Sequence, residues 1–293
     1  MTQLVSTLTM RGVKHALSEP TLSLENVTVA YAPGSSNVTS QTSTQYALQN
    51  VSCRIERGER IAVVGPNGAG KSTLFKLIVG TLKPQQGNIR IYGHQPGGHI
   101  CIAYVPQRSQ IDWAFPVTVE DVVMMGRIGQ IGLFRRPKKQ DWSYVRECLR
   151  RVGAVDLAKK QIGELSGGQQ QRIFIARALA QEAELLLMDE PLTGLDVPSQ
   201  EAIFEVLDNL RPDGVTVLVA THDLTLAAER FDRVMLLNKR VVSFGEATAV
   251  LRADNLVQAY GGHLHRVSNQ ADAILLTEGC CGEHEHGIEK GGD

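Results

Sequence analysis

The chain has 293 residues, 43% hydrophobic and 21% charged, the make-up of a globular protein long enough to bury one large core. Its 30 lysines and arginines against 31 acids leave no basic footprint of the kind nucleic-acid binding needs, so no nucleic-acid partner is expected. The longest apolar runs fall far short of the roughly 18 residues of a membrane span, and the opening MTQLVSTLTMRGVKH has no signal-peptide core, so the expected compartment is the cytosol.

Residues 1–21 are polar, lack periodicity and read as a loose N-terminal extension. Alternation from residue 22 to residue 64 predicts strands, with Leu22, Leu24 and Val29 on one face and Val51, Cys53 and Ile55 on another. Between them the Ser/Thr-rich stretch Ala32 to Tyr46 reads as a surface loop, flexible at its tip. The apolar run Ile61 to Val64 enters GPNGAGKS (Gly65 to Ser72) and a helix, followed by a strand near Asn88 to Tyr92. Residues 108 to about 165 lack strand pattern and carry helical stretches near Val119 to Met125 and Asp141 to Val152, a helical subdomain. The run Leu185 to Met188 ends in Asp189 and Glu190. After it come a helix from Ser199 to Leu210, a strand from Val215 to Ala220, short strands at Val234 to Leu237 and Val241 to Phe244, and a helix from Ala247 to Gln258. This order predicts an α/β domain over 22–262 with a parallel core sheet, and a C-terminal extension over 263–293.

A strand that runs into a glycine-rich loop and then a helix is a phosphate cradle. Glycines let successive N–H groups point inward, and the helix start adds its partial positive charge. The candidates to hold ATP are Gly65, Pro66, Asn67, Gly68, Ala69, Gly70, Lys71, Ser72 and Thr73. Lys71 is suited to the β- and γ-phosphates and Ser72 to Mg²⁺. A continuous apolar run suits a central strand buried on both faces, and its C-terminal end is where an open sheet presents ligand groups. Asp189 is therefore a Mg²⁺ ligand candidate, and Glu190 a candidate to orient or deprotonate the attacking water.

With LSGGQ at Leu165 to Gln169 added to these words, the chain resembles the nucleotide-binding subunit of an ABC transporter. In physical terms Ser166 is a plausible N-cap, followed by Gly167, Gly168 and the helical stretch Gln169 to Gln181, a second helix start suited to an anion. The resemblance implies a P-loop ABC cassette with an antiparallel β-subdomain and a helical subdomain. It also implies that this second anion site completes the ATP pocket of a second copy in a head-to-tail dimer. By the same resemblance Tyr31 stacks on adenine, and Gln107, in YVPQ, links Mg²⁺ and the water to the transporter contact. Asp196, in GLD, belongs to a loop crossing the dimer interface, and His222 contacts the γ-phosphate. The implied partners are integral membrane permease subunits and, indirectly, an extracytoplasmic solute-binding protein, with the subunit peripheral at the cytoplasmic face of the membrane.

The segment Ile111 to Trp142 resembles the same region of importers for manganese, zinc and related divalent metals; iron-siderophore and cobalamin importers carry similar cassettes. A soluble ABC ATPase outside transport would usually have two cassettes or a long coiled-coil insertion, and neither is visible. Trp113, Phe115, Met124 and Met125 could line the groove that docks the membrane subunits, or, with Val122 and Val123, form the buried face of a helix. Cys53, Cys101, Cys148, Cys280 and Cys281 form no evenly spaced pairs, and the first three read as small buried hydrophobes. The tail holds Cys280, Cys281, His284 and His286, which could bind a borderline metal such as Zn²⁺. Five acids against Lys290 alone also fit a solvated, disordered tail. His263 and His265 recur in the metal-importer resemblance without a ligand assignment.

Overall fold

The computed structural model describes residues 19–31, 45–96, 101–132, 135–261, 264–266 and 274–276. The expected N-terminal extension up to residue 18, the loop over 32–44, His263 and the tail residues Cys280, Cys281, His284 and His286 lie outside the described residues.

Strands β1 (Leu22–Tyr31) and β2 (Gln45–Ile55) pair antiparallel. Strand β3 (Arg60–Val64) then leads into helix α1 (Lys71–Val79), and β4 (Gln86–Ile91) returns to the free edge of β1 to give a three-stranded sheet ordered β2-β1-β4. Strand β5 (Ile102–Val105) opens a segment with three helices, α2 (Val119–Met125), α3 (Ile128–Ile131) and α4 (Lys139–Arg151). There follow α5 (Gly167–Ala180), β6 (Leu185–Asp189), α6 (Val197–Leu210), β7 (Thr216–Thr221), α7 (Leu224–Arg230), β8 (Arg233–Asn238) and β9 (Arg240–Gly245). These build a six-stranded sheet ordered β5-β6-β7-β3-β8-β9, parallel except for the antiparallel pair β8 and β9.

The apolar runs are continuous because the six-stranded sheet is covered on both faces. Along β3, Ala62 and Val64 join the cluster packed by α2, α4, α5 and α6, whereas Ile61 and Val63 join the cluster formed with α1 and the three-stranded sheet. Strand β6 divides the same way, Leu186 and Met188 against Leu185 and Leu187. Helix α1 is thus held between two sheets, and the loop before it is fixed by both.

Several expectations are corrected. The loop predicted to run through Tyr46 ends earlier, because Gln45 and Tyr46 already pair with Tyr31 and Ala30 in the ladder. No periodicity predicts β5, whose four residues include Ala103 and Tyr104, too short a run to show a period. Irregularities in the β1–β2 register bring Val27 and Leu48 into the core beside the alternating residues named above. The expected helix from Ala247 to Gln258 is two helices, α8 (Ala247–Val250) and α9 (Ala253–Tyr260), separated where Arg252 takes an extended conformation (φ −69°, ψ 150°). Leu264–Arg266 (β10) and Ile274–Leu276 (β11) form an antiparallel ladder that no pattern predicts, with His265 opposite Leu275.

The alternatives left open on the α2 segment are decided by burial. Val122, Val123 and Met124 are buried in the core, and Met125 and Phe115 are exposed. Trp113 is partly buried, its ring edge-on to Phe174 at 5.5 Å. Cys101 and Cys148 are buried and Cys53 is half-buried; all three are free thiols.

Candidate nucleotide site

Gly65 follows β3 with φ 156°, and a Cβ there would lie 1.9 Å from the Leu237 carbonyl oxygen, so the end of β8 closes tightly on the loop. Gly70 (φ 99°) caps α1 without any side-chain hydrogen bond, and the first helical bond runs from the Leu74 N–H to the Gly70 carbonyl. The helix itself therefore leaves the N–H groups of Lys71, Ser72 and Thr73 without partners, at residues that line an open cleft. The buried Lys71 donates from Nζ to the carbonyls of Gly65 at 2.7 Å and Pro66 at 3.2 Å. Burial lowers its pKa, partly offset by the charges of Glu190 and Asp189.

The acids come from the end of β6. Asp189 is buried and accepts the Tyr104 hydroxyl at 3.3 Å; burial, then the Asp189 charge, push Tyr104 up to about 12. Glu190 has φ 49°, a left-handed conformation rare outside glycine, while its N–H donates to the Ala220 carbonyl of β7 at 3.0 Å. The pairing of β6 with β7 thus turns the Glu190 side chain off the strand direction, and the Gln107 amide reaches it at 3.2 Å. Tyr31, at the end of β1, shares a hydrogen bond with the Thr73 hydroxyl at 3.2 Å and keeps 47% of its surface exposed, leaving ring area for stacking.

The cleft measures about 610 Å³, a size ordinary for a cofactor pocket. It brings together Tyr31, the loop from Asn67 to Thr73, Gln107 and Glu190. It also includes Gln45, Tyr46, Ala47 and Lys239, which no motif predicts. Gln45 and Tyr46 were hidden by the expected loop, and Ala47 and Lys239 sit where no sequence signature marks them.

The remaining candidates form a separate group or stand alone. The Ser166 hydroxyl accepts the Gln169 N–H at 3.3 Å, and the Gln169 side chain accepts the Ser166 N–H at 3.0 Å, a reciprocal cap at the start of α5. Gly167 abuts Arg108, and a Cβ at Gly168 would lie 2.5 Å from the Ser199 hydroxyl, whose backbone N–H is held by Asp196 at 3.2 Å. Ser199 therefore joins the glycine turn to the Asp196 loop. None of Ser166, Gly167, Gly168, Gln169 or Asp196 lines the cleft. His222, exposed just beyond β7, does not line it either.

The donor set fits a hard divalent cation. Ser72, Asp189 and Gln107 offer oxygens, the ligand type a hard divalent cation takes. Mg²⁺ is ordinarily held in this way, by one or two carboxylates together with substrate phosphates and water.

A family model described as ABC transporter matches residues 48–193. The chain is 46% identical to the manganese transport system ATP-binding protein MntB of Bacillus subtilis, over 87% of this chain and 97% of that one. It is 47% identical to the zinc transport system ATP-binding protein TroB of Treponema pallidum, over 74% and 82%. Among solved structures it is similar to the ATP-binding cassette MJ0796 in a dimeric post-hydrolysis state bound to ADP and Pi, with TM-score 0.66 and 30% identity over 77% of this chain and 98% of that chain. A glycine-rich loop closed by β8, two acids at the end of β6 and near full-length likeness to such proteins lead to one conclusion: the chain belongs to the ABC transporter family, as an ATP-binding cassette subunit that hydrolyses ATP.

Proposed function

We propose that this subunit energises a membrane importer for manganese, zinc or a related divalent metal ion. The cargo rests on the relatives' stated substrates; the cleft's own residues never meet the metal. The observation that carries the ATPase part is the division of the site, with Lys71, Ser72, Gln107 and Glu190 at one cleft and Ser166 to Gln169 outside it.

A monomer built this way holds half of each ATP site, so two copies sandwich two nucleotides head to tail. The loop from Gly65 to Thr73 cradles the phosphates, Tyr31 stacks on the adenine, and Ser166, Gly167, Gly168 and Gln169 of the second copy cover the γ-phosphate. Asp196 lies at the same interface. Ser72, Asp189 and Gln107 would hold Mg²⁺, which would supply countercharge to the phosphates. Glu190 orients the water and accepts its proton, and His222 contacts the γ-phosphate. Closure pulls the membrane permease subunits toward a new facing and hydrolysis reopens the pair. An extracytoplasmic binding protein delivers the metal, and the subunit sits peripherally on the cytoplasmic face. Among the described residues no helix is long and apolar enough to cross a membrane. The exposed Phe115 and Met125 belong to the permease contact.

The test is association. With Mg·ATP, Glu190→Gln should sediment as a dimer, and adding Ser166→Arg should return it to a monomer that still binds ATP. A monomer in both cases overturns the shared site. Uptake of radioactive manganese or zinc into vesicles holding the complete transporter tests the cargo, and uptake of neither overturns it.

A further inference from the structure

Lys239 lies in the tight turn between β8 and β9 with φ 57°, a left-handed conformation that a lysine seldom adopts. Its backbone is fixed on both sides. Its N–H donates to the carbonyl of Ala69 in the phosphate loop at 2.7 Å, and its own carbonyl accepts the Gln49 N–H from β2 at 2.6 Å. With the Leu237 carbonyl already closed on Gly65, the turn is attached to the loop at two points. The residue is thereby placed on the wall of the cleft, together with Tyr31, Ala47 and the loop from Asn67 to Thr73.

Its charge is uncommitted. The neighbouring Arg240 is held by the Gln49 side chain at 2.9 Å, and Lys71 donates to two carbonyls and lies near Glu190 and Asp189. Lys239 has no hydrogen bond or ion pair from its side chain among the described residues. Among the described lining residues the charged groups are Lys71, Lys239 and Glu190; Lys71 is engaged by Glu190 and the nearby buried Asp189, which leaves Lys239 as the flexible cation on the cleft wall. A flexible, uncommitted cation on the wall of an open cleft favours a polyanion over a neutral nucleoside.

From this placement we infer that Lys239 is a second phosphate-binding lysine of the cleft, recognising the nucleotide's charge from beside the phosphate loop. This rests on the ATP-site reading above. Because its backbone bonds do not need the side chain, Lys239→Gln and Lys239→Asn, the latter at ease in the left-handed conformation, should fold as the parent does.

The experiment is calorimetric titration of the full chain with ATP, ADP, AMP and adenosine at low and moderate salt, for the parent, Lys239→Gln, Lys239→Asn, Lys239→Arg and Lys71→Ala. Loss of an exposed charge contact predicts that ATP binding weakens about fivefold in the Gln and Asn variants. ADP should weaken less and adenosine not at all, with the difference shrinking as salt rises and Lys239→Arg close to the parent. Equal weakening for adenosine and ATP, or no weakening, overturns the inference while Lys71→Ala still loses ATP. If Lys71→Ala also binds ATP like the parent, the phosphate-loop reading itself fails.

Discussion

The side-chain amide of Gln107 donates to the Glu190 carboxylate at 3.2 Å, joining the residue that leaves β5 to the one that leaves β6. These strands are parallel neighbours, so the segment leading to the helices α2 to α4 reports directly on the carboxylate that faces the cleft. The following residue, Arg108, extends the connection by bonding Gln170 of α5 at 3.1 Å. Neutralising the carboxylate should separate binding from chemistry. Glu190→Gln keeps the hydrogen-bonding shape, so ATP affinity measured by calorimetry should stay near the parent's while turnover falls about 10²- to 10³-fold. Full turnover in that variant would remove Glu190 from the reaction.

Two glycines of the same loop should behave differently. A Cβ on Gly65 meets the Leu237 carbonyl at 1.9 Å, whereas one on Gly68 (φ 74°) meets nothing within 4 Å. Gly68→Ala should lower stability by about 1 kcal/mol through backbone strain alone. Gly65→Ala should cost roughly 3 kcal/mol or more and displace the turn that carries Lys239. Urea unfolding of both variants decides; equal losses would mean that β8 does not close on the loop.

Adjacent methionines on α2 offer a second contrast. Met124 is buried and Met125 is 39% exposed. Met124→Ala should destabilise by about 2–5 kcal/mol, and Met125→Ala by about 0.5 kcal/mol or less. If Met125 belongs to the permease contact, its variant should hydrolyse ATP normally when isolated yet support less transport in the assembled complex.

Alkaline pH should unfold the protein early. Burial pushes Cys148 and Cys53 up to about 12 and Cys101 up to about 11, against an ordinary 9.0. Between these values the folded chain keeps protons that the unfolded chain releases. The contribution is complete below pH 9 and is lost as pH climbs through 11 to 12. Lys71 works in the opposite direction, since its pKa is lowered by burial and its penalty eases as pH rises toward 10.5. Three thiols outweigh one lysine, so stability should drop by about 1 kcal/mol per thiol from pH 9 to 10. Urea midpoints should show this, with a shallower fall in Cys148→Ala; a pH-independent midpoint would contradict thiol burial.

The words GPNGAGKS, LSGGQ and LLLMDE were enough for the α/β class and for placing a glycine loop before a helix and two acids at a strand end, because each depends on local conformation. A glycine loop between a strand and a helix, a serine at a helix start and an apolar run ending in carboxylates all state their geometry within a few neighbouring residues. The sequence order could not reveal that β3 lies between β7 and β8, or that Leu237 and Lys239 rest on Gly65 and Ala69, since those contacts join residues about 160 to 170 positions apart. The same holds for Met124 facing the core while Met125 faces outward, which the rotation of a packed helix decides. Strand β5 and the break before α9 escaped because neither carries a pattern strong enough to show a period. Local chemistry was written in the chain, and the partners each group meets across space were settled only when two apolar faces closed on one sheet.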